Sequence, residues 1–380
     1  MDIFYYLVSF FLIINVVVFV HEYGHFLAAK KVGVKITKFS IGIGPEVCGL
    51  TDRHGTRWCF SLLPIGGFVM MLGDEDMSSA TGDEEVLKKL TEEEKQQAFA
   101  NKSNWEKMFV AFSGPLFNYI YAFLVIFLMC FFYGLPSSPP TVGDVLKGSP
   151  AEKVQLRPGD RIVLIDGQQM EKFQDIVRKI QEPKEGPLTF VIERDNAQKE
   201  ILIVPEIRET KQLVGSSRKI KQIGIKPSGP VFTKKGLVDS FLQAGVQCVN
   251  ASLDMCRFFS QLFSGRRHLD DFGGFVRIAE IAGDLSKTGS LALLIMFTVS
   301  LSLNLGLINL FPLPVLDGGT ILISLIEQLS GKKLNKRLQE YIMTVCTILL
   351  VSLMLLTTVN DVLRLEPVRN VVFSIMGRTE

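Results

Sequence analysis

The sequence predicts a membrane α-helical fold: four transmembrane helices, membrane-associated β hairpins between the first and second, and one α+β domain on the extracytoplasmic side between the second and third. Three observations predict it. Residues 3–20, 108–133, 288–316 and 341–360 contain no Asp, Glu, Lys, Arg or His over 18, 26, 29 and 20 residues, and each run is long enough to cross a hydrocarbon core of about 30 Å as a helix. Residues 35–44 and 56–72 alternate apolar and polar side chains and are punctuated by glycine, the pattern of paired strands. Residues 142–227, roughly 85 in all, mix short strand-like runs, turn residues and amphipathic pieces, the texture of a small soluble domain.

Across 380 residues, 41 Lys plus Arg stand against 39 Asp plus Glu, a formal net charge of +2. So even a balance leaves no basic footprint for nucleic acid, and the uncharged runs make the lipid bilayer the chain's first partner. A soluble single-core protein and a disordered chain are excluded by the same runs.

The first span takes residues 1–30. Its apolar run follows Met1-Asp2 with no Lys or Arg ahead of it and exceeds the roughly 7–15 residues of a signal-peptide core, so it reads as a retained helix. Residues 31–106 form a cytoplasmic-side segment. Its hairpins are apolar enough to dip toward the membrane, where non-helical backbone is tolerated only against protein or in a water-filled cavity. An acidic, partly helical linker follows, around Asp74-Glu75-Asp76 and Glu92-Glu93-Glu94. Residues 107–133 are the second span, 142–227 the outside domain, 237–287 an amphipathic helical segment returning to the membrane, 288–317 the third span and 340–361 the fourth. Lys30, Lys31, Lys35 and Lys38 follow the first span, and Lys332, Lys333, Lys336 and Arg337 precede the fourth. These short basic flanks read as cytoplasmic, which leaves both termini and the outside domain extracytoplasmic. The six cysteines, Cys48, Cys59, Cys130, Cys248, Cys256 and Cys346, contain no C-x-x-C pair and read as packing residues.

The chemistry stands at the inner end of the first span, in His21-Glu22-Tyr23-Gly24-His25. Histidines at i and i+4 share one helix face a turn apart, so both imidazoles reach one Zn²⁺, while Glu22 is placed to take a proton from water. Ionisable groups at membrane depth are costly and mark function. A catalytic zinc site commonly has three protein ligands, and Asp317 is the candidate third. It is the first charged residue after the third apolar run, beyond Pro312 and Pro314, which break the helix, and before Gly318-Gly319, which read as a tight turn. Glu22 is thus the candidate catalytic base, and His21, His25 and Asp317 the candidate metal ligands.

With these residues in view, the chain resembles the site-2 protease family of intramembrane zinc metalloproteases, in its bacterial regulator-of-sigma-E type. Further residues carry the resemblance: Ser113-Gly114-Pro115-Leu116-Phe117-Asn118 in the second span, Gly66-Gly67-Phe68 in the hairpins, and Gly148-Ser149-Pro150-Ala151 and Arg157-Pro158-Gly159-Asp160-Arg161-Ile162 in the outside domain. The outside segment resembles a PDZ domain of the circularly permuted kind, with Gln222, Ile223, Gly224 and Ile225 as its peptide loop by that resemblance; the sequence holds one such domain where the best-known relatives carry two in tandem. The family resemblance also implies substrate contacts from Asn304, Asn309, Gly66, Gly67, Phe68, Val69 and Met70, the hairpin adding the unwound substrate as a strand.

The activity implied is hydrolysis within or near the transmembrane segment of single-pass membrane proteins, at the bacterial inner membrane. The implied substrate is an anti-sigma factor already trimmed by an upstream site-1 type protease, or a remnant signal peptide, with the PDZ domain as a size filter. A non-catalytic PDZ-containing membrane scaffold is the alternative, and it would tolerate loss of Glu22. A zinc protease acting outside the bilayer and a transporter fit less well, because the His pair abuts an apolar span and the spans show no internal repeat.

Overall fold

The computed structural model describes residues 2–73, 90–182, 186–195, 197–210, 218–229, 231–234, 236–265 and 273–364. Asp74, Glu75 and Asp76 of the expected acidic linker lie outside them. In chain order the first elements are α1 (Asp2–Lys31), β1 (Ile36–Thr51), β2 (Arg57–Met71), α2 (Glu92–Gln97), α3 (Asn104–Phe132), β3 (Leu135–Ser137), β4 (Val142–Val145), α4 (Pro150–Lys153), β5 (Arg161–Ile165), β6 (Gln168–Gln169) and α5 (Phe173–Ile180). There follow β7 (Leu188–Arg194), β8 (Ala197–Ile203), β9 (Glu206–Thr210), β10 (Arg218–Gln222), β11 (Ile225–Pro227), β12 (Val231–Thr233), α6 (Leu237–Phe263), α7 (Phe275–Lys287), α8 (Leu291–Asn309), α9 (Asp317–Ser330) and α10 (Lys336–Arg364). They form two compact units, residues 1–126 with 244–380, and residues 127–243.

Among the described residues, four helical stretches are long and apolar enough to cross a membrane: Phe4–Lys31, Asn104–Phe132, Leu291–Asn309 and Arg337–Leu363. Apolar residues lie all round α1, and a buried stripe runs along it through Phe10, Ile13, Val17, His21, His25 and Ala29. These positions recur every three or four residues, so the two histidines continue the packed face of the helix while Leu7, Leu12, Val16 and Leu27 lie exposed. Near the start of α1, α7 packs against it. Gly283 lets α7 lie flush on the Tyr6 ring, the Tyr6 hydroxyl donates to Asp284 at 2.7 Å, and the Lys287 ammonium lies 4.5 Å from the ring centroid. Asp361 of α10 accepts from the first N–H groups of α7, at Gly274 (2.8 Å) and Arg277 (3.2 Å), which otherwise lack helical partners.

The two long strands β1 and β2 pair antiparallel with several register shifts. Phe39 is register partner to both Val69 and Trp58, so the start of β1 has neighbours on two sides. Gly42 at φ +92° permits one of the bends, and a side chain there would meet the Leu63 carbonyl oxygen at 2.7 Å. Trp58 stacks on Phe39 at 4.4 Å and meets Phe26 of α1 edge-on at 5.0 Å, which seats the strands on the C-terminal end of that helix. In the linker region, Thr91 and Glu94 close a capping box at the start of α2, so the Glu92-Glu93-Glu94 run is helical as expected.

Two expectations do not hold. The third span is shorter than residues 288–317: α8 ends at Asn309, residues 310–316 are not helical, and a separate helix, α9, begins at Asp317. The prolines explain the break, since neither can donate an in-helix bond. Residues 237–287 are helical in two pieces, α6 and α7. Cys59, Cys130 and Cys248 are buried, but Cys48 and Cys256 are exposed and do not pack.

The second unit closes a core of its own. Ile162 and Ile165 of β5, Phe190 and Ile192 of β7 and Ile203 of β8 face Phe173, Ile176 and Ile180, which recur at helical spacing on α5. The sheet runs β6-β5-β7-β8, and β4 pairs with β11. The Pro158-Gly159-Asp160 turn has a physical role in this core. Asp160 is 2% exposed, and its carboxylate takes two hydrogen bonds from Arg194, at 2.7 and 2.6 Å, and one from the Arg157 N–H at 2.7 Å. Burial alone would raise its pKa; the Arg194 hydrogen bonds and charge, with the Arg157 N–H, overcome burial and hold it below the usual carboxylate value.

Asp160→Ala is expected to destabilise the second unit by about 3 kcal/mol, because it leaves Arg194 without its buried partner. Hydrogen exchange at β5 and β7 of the full chain reads this out. Because the folded pKa is depressed, the contribution of Asp160 in the wild type is complete above a pH of about 4. It disappears as pH falls through the folded value.

Candidate metal centre

Two elements bring three ligand candidates together at the C-terminal half of α1. His21 and His25 come from its buried stripe, and Asp317 is the first residue of α9. Negative charge in the first turn of a helix is favoured by the unpaired N–H groups there. The loop that delivers Asp317 folds back on α9 so closely that a Cβ at Gly318 would fall on the Phe311 and Leu310 carbonyl oxygens, and one at Gly319 on that of Leu313. Gly318 and Gly319 are therefore helical residues needed for close approach, and not the tight turn that their sequence implies.

The ligand atoms of His21, His25 and Asp317 all lie within 4.8 Å of one another. His21 Nε2 is 3.1 Å from one Asp317 oxygen, His25 Nε2 is 3.3 Å from the other, and the two Nε2 atoms are 3.2 Å apart. Donor atoms placed tetrahedrally at zinc distances of about 2.0–2.1 Å lie about 3.3–3.4 Å from each other. The spacing therefore fits that ion. The polarity fits as well. His25 Nδ1 lies 2.9 Å from the Val110 carbonyl oxygen, which can only accept, so Nδ1 carries the proton and Nε2 turns a lone pair to the centre. Asp317 Oδ2 is buried and receives no hydrogen bond. A His25 lone pair and a carboxylate oxygen without a donor, turned to one point, suit the donor set of a cation.

Close packing of α1 on α3 makes this possible. A Cβ on Gly24 would meet the Ser113 carbonyl oxygen at 2.5 Å, and one on Gly114 would fall on His25 Nε2 and lie 2.9 Å from His21 Cε1. Only glycine at both positions lets the rings lie against the neighbouring helix.

A cavity of about 460 Å³ opens at the centre, lined by Glu22, Asn309, residues 67–71 of β2 and residues 314–316. Glu22 thus shares the cavity with the three ligand candidates. The Asn309 amide nitrogen is 3.0 Å from His21 Nε2. Gly67, Phe68, Val69 and Met70 form one wall, and Gly67 is held flush on α1 against Val18 and Glu22. Asn15 of α1 donates to the Pro64 carbonyl at 3.1 Å and so fastens the strand to the helix above the site.

Two sequence-predicted residues are not part of the cavity wall. Gly66 precedes it with φ +85°, a bend residue, and Asn304 lies five residues before Asn309 on α8. Gln222, Ile223, Gly224 and Ile225 belong to the second unit. There the carbonyls of Ile223 and Gly224 accept from Ala151 (3.0 Å) and Leu146 (2.8 Å), and a Cβ on Gly224 would fall on Ser149. The sequence reading missed the Val110 carbonyl and Asn118, which touch the outer nitrogens of His25 and His21.

Chemically, the arrangement offers a three-donor cation site with a carboxylate in the same cavity and an amide beside it. Gly114→Ala is expected to weaken zinc binding on the order of tenfold or more, since the methyl displaces both rings. Zinc quantified in the purified variant against wild type checks it.

The family described as Peptidase family M50 matches residues 9–353. A protein named "Putative zinc metalloprotease" from Rhizobium meliloti (strain 1021) is 33% identical over 358 residues, covering 93% of this chain and 95% of its own. A protein of the same description from Agrobacterium fabrum (strain C58) is 33% identical over 361 residues, covering 94% and 95%. The PDZ domain of an SdrC-like protein from Listeria monocytogenes is 21% identical, covering 24% of this chain and 90% of that chain, with a TM-score of 0.20.

Proposed function

The chain belongs to peptidase family M50, the site-2 proteases, and on that premise we propose that it is a multi-pass zinc metalloprotease that cuts single-pass membrane proteins within or near their transmembrane segments. The observation that supports this reading is the convergence of His21, His25 and Asp317, two of them on one apolar membrane-length helix, beside a cavity that also holds Glu22.

The bound zinc would be held by His21, His25 and Asp317, and it would supply water acidified toward neutral pH and polarisation of the scissile carbonyl. Glu22 takes the proton of the attacking water and returns it to the leaving amine. The Asn309 amide, 3.0 Å from His21 Nε2, is placed to donate to the substrate carbonyl oxygen as charge develops there. A substrate helix must unwind before its peptide bond can be attacked, and its freed N–H and C=O groups then need partners inside the apolar bundle. Residues 67–70, in the cavity wall, provide them by pairing with the substrate as an added strand. Asn304 assists from α8 as a hydrogen-bonding residue within the membrane.

The basic flanks of the first and fourth spans support an inner-membrane orientation with the zinc site toward the cytoplasm and both termini outside. The second unit, as a single extracytoplasmic PDZ domain, screens substrates by size or by a peptide terminus held at Gln222, Ile223, Gly224 and Ile225. An anti-sigma factor pre-trimmed by a site-1 type protease, or a remnant signal peptide, is the substrate class that suits such a filter.

Glu22→Gln is expected to lower turnover of a single-pass substrate lacking its outside domain by at least about a thousandfold while retaining about one zinc per chain, because it removes the proton carrier and no ligand. Equal cleavage by both proteins would remove the base role. Asn309→Ala is expected to lower kcat on the order of 100-fold with KM little changed, as for loss of a donor used in the transition state; a change confined to KM would contradict that role.

A further inference from the structure

The segment Ser113-Gly114-Pro115-Leu116-Phe117-Asn118 presents one face of α3 to the two histidines. Val110, Gly114 and Asn118 recur at i, i+4 and i+8 and therefore lie on one face. Val110 meets His25 through its carbonyl, Gly114 lies flush against both rings, and Asn118 meets His21, with its amide nitrogen placed 3.2 Å from Nδ1. Asn118 is fully buried, and its backbone carbonyl accepts from Ser302 of α8 at 3.1 Å. Its side-chain oxygen is buried as well and has no hydrogen-bond partner.

We propose that Asn118 is a positioning residue for the metal: its side-chain oxygen accepts the Nδ1 proton of His21 and so holds the Nε2 lone pair of that ring toward the ion. The inference rests on the zinc reading of the centre. A neutral imidazole carries one proton, so His21 can offer Nε2 to a cation only when Nδ1 is protonated, and a protonated Nδ1 inside an apolar bundle needs an acceptor. His25 already has one in the Val110 carbonyl. For His21 the group in contact is the Asn118 amide. An amide turned half a revolution about its last bond exchanges oxygen and nitrogen with almost no displacement of the side chain, and this turn brings the orphaned oxygen to Nδ1. In the orientation with nitrogen toward the ring, Asn118 donates to Nδ1, and the His21 proton then sits on Nε2, 3.1 Å from Asp317. The two orientations serve the metal-free and metal-bound tautomers in turn. A backbone carbonyl cannot do this, because it only accepts.

The test is competition of the purified full-length chain against a zinc chelator, for wild type, Asn118→Leu and Asn118→Asp, with the thermal melt of each zinc-free protein as the control for folding. Leucine keeps the volume and removes the acceptor; aspartate keeps the acceptor and removes the donor. Zinc affinity is expected to fall about 10–100-fold in Asn118→Leu and to stay within about threefold of wild type, or to tighten, in Asn118→Asp. Wild-type affinity in a folded leucine variant, or an equal loss in both variants, overturns the inference and leaves a packing role. If the leucine variant does not fold, the aspartate variant decides alone: retained affinity supports the acceptor role and a tenfold loss overturns it. Absence of zinc from the wild type would remove the metal centre itself, a separate result from zinc bound equally by wild type and Asn118→Leu.

Discussion

Two imidazole nitrogens and a carboxylate, packed about 3 Å from one another inside an apolar bundle, repel unless a cation or a proton sits among them. Much of the surrounding structure follows from that constraint. Gly24 and Gly114 bring α1 and α3 close enough to bury the rings, and Gly318 and Gly319 let the loop after α8 fold back so that Asp317 reaches them. The Val110 carbonyl and the Asn118 amide occupy the outer nitrogens of the two histidines, so both rings are oriented from the same face of one helix.

A second requirement comes from the solvent. In hydrocarbon every backbone group needs a partner, and a strand whose edge faces a cavity is tolerable only where another strand or water completes it. Residues 67–71 line the cavity, and β2 is fastened to α1 through the Asn15 bond to Pro64 and the close approach of Gly67 to Val18. The aromatic group of Phe26, Phe39 and Trp58 holds the other end of the strands at the C-terminal end of the helix. The cavity wall is thus fixed at both ends to the helix that carries Glu22.

How much of this could be read from residues alone depends on how each feature is encoded. The His pair was legible because a spacing of four maps directly onto one helix face. Asp317 was legible because Pro312 and Pro314 force a break before it. The helix that begins at Asp317 was not, since the apolar run that defines the third span continues through the non-helical loop and hides the change of element. Gly318 and Gly319 were identified, but with the wrong physical reason: close approach to carbonyls of a folded-back loop is a tertiary fact that local sequence does not carry. The Val110 carbonyl has no signature, being backbone. Asn118 stood in a recognised motif without a role, because its contact is 97 residues away in sequence. In the second unit, Asp160 was part of a quoted turn, while its partner Arg194 on β7 became visible only when the sheet brought them together.

The central claim is the identity of the donor set, and zinc K-edge X-ray absorption of the purified protein tests it most directly. The account predicts a first shell of nitrogen and oxygen only, at about 2.0–2.2 Å, with the multiple-scattering signature of two imidazoles. A sulfur shell at about 2.3 Å, or a shell of oxygen without imidazole, would contradict the assignment of His21, His25 and Asp317.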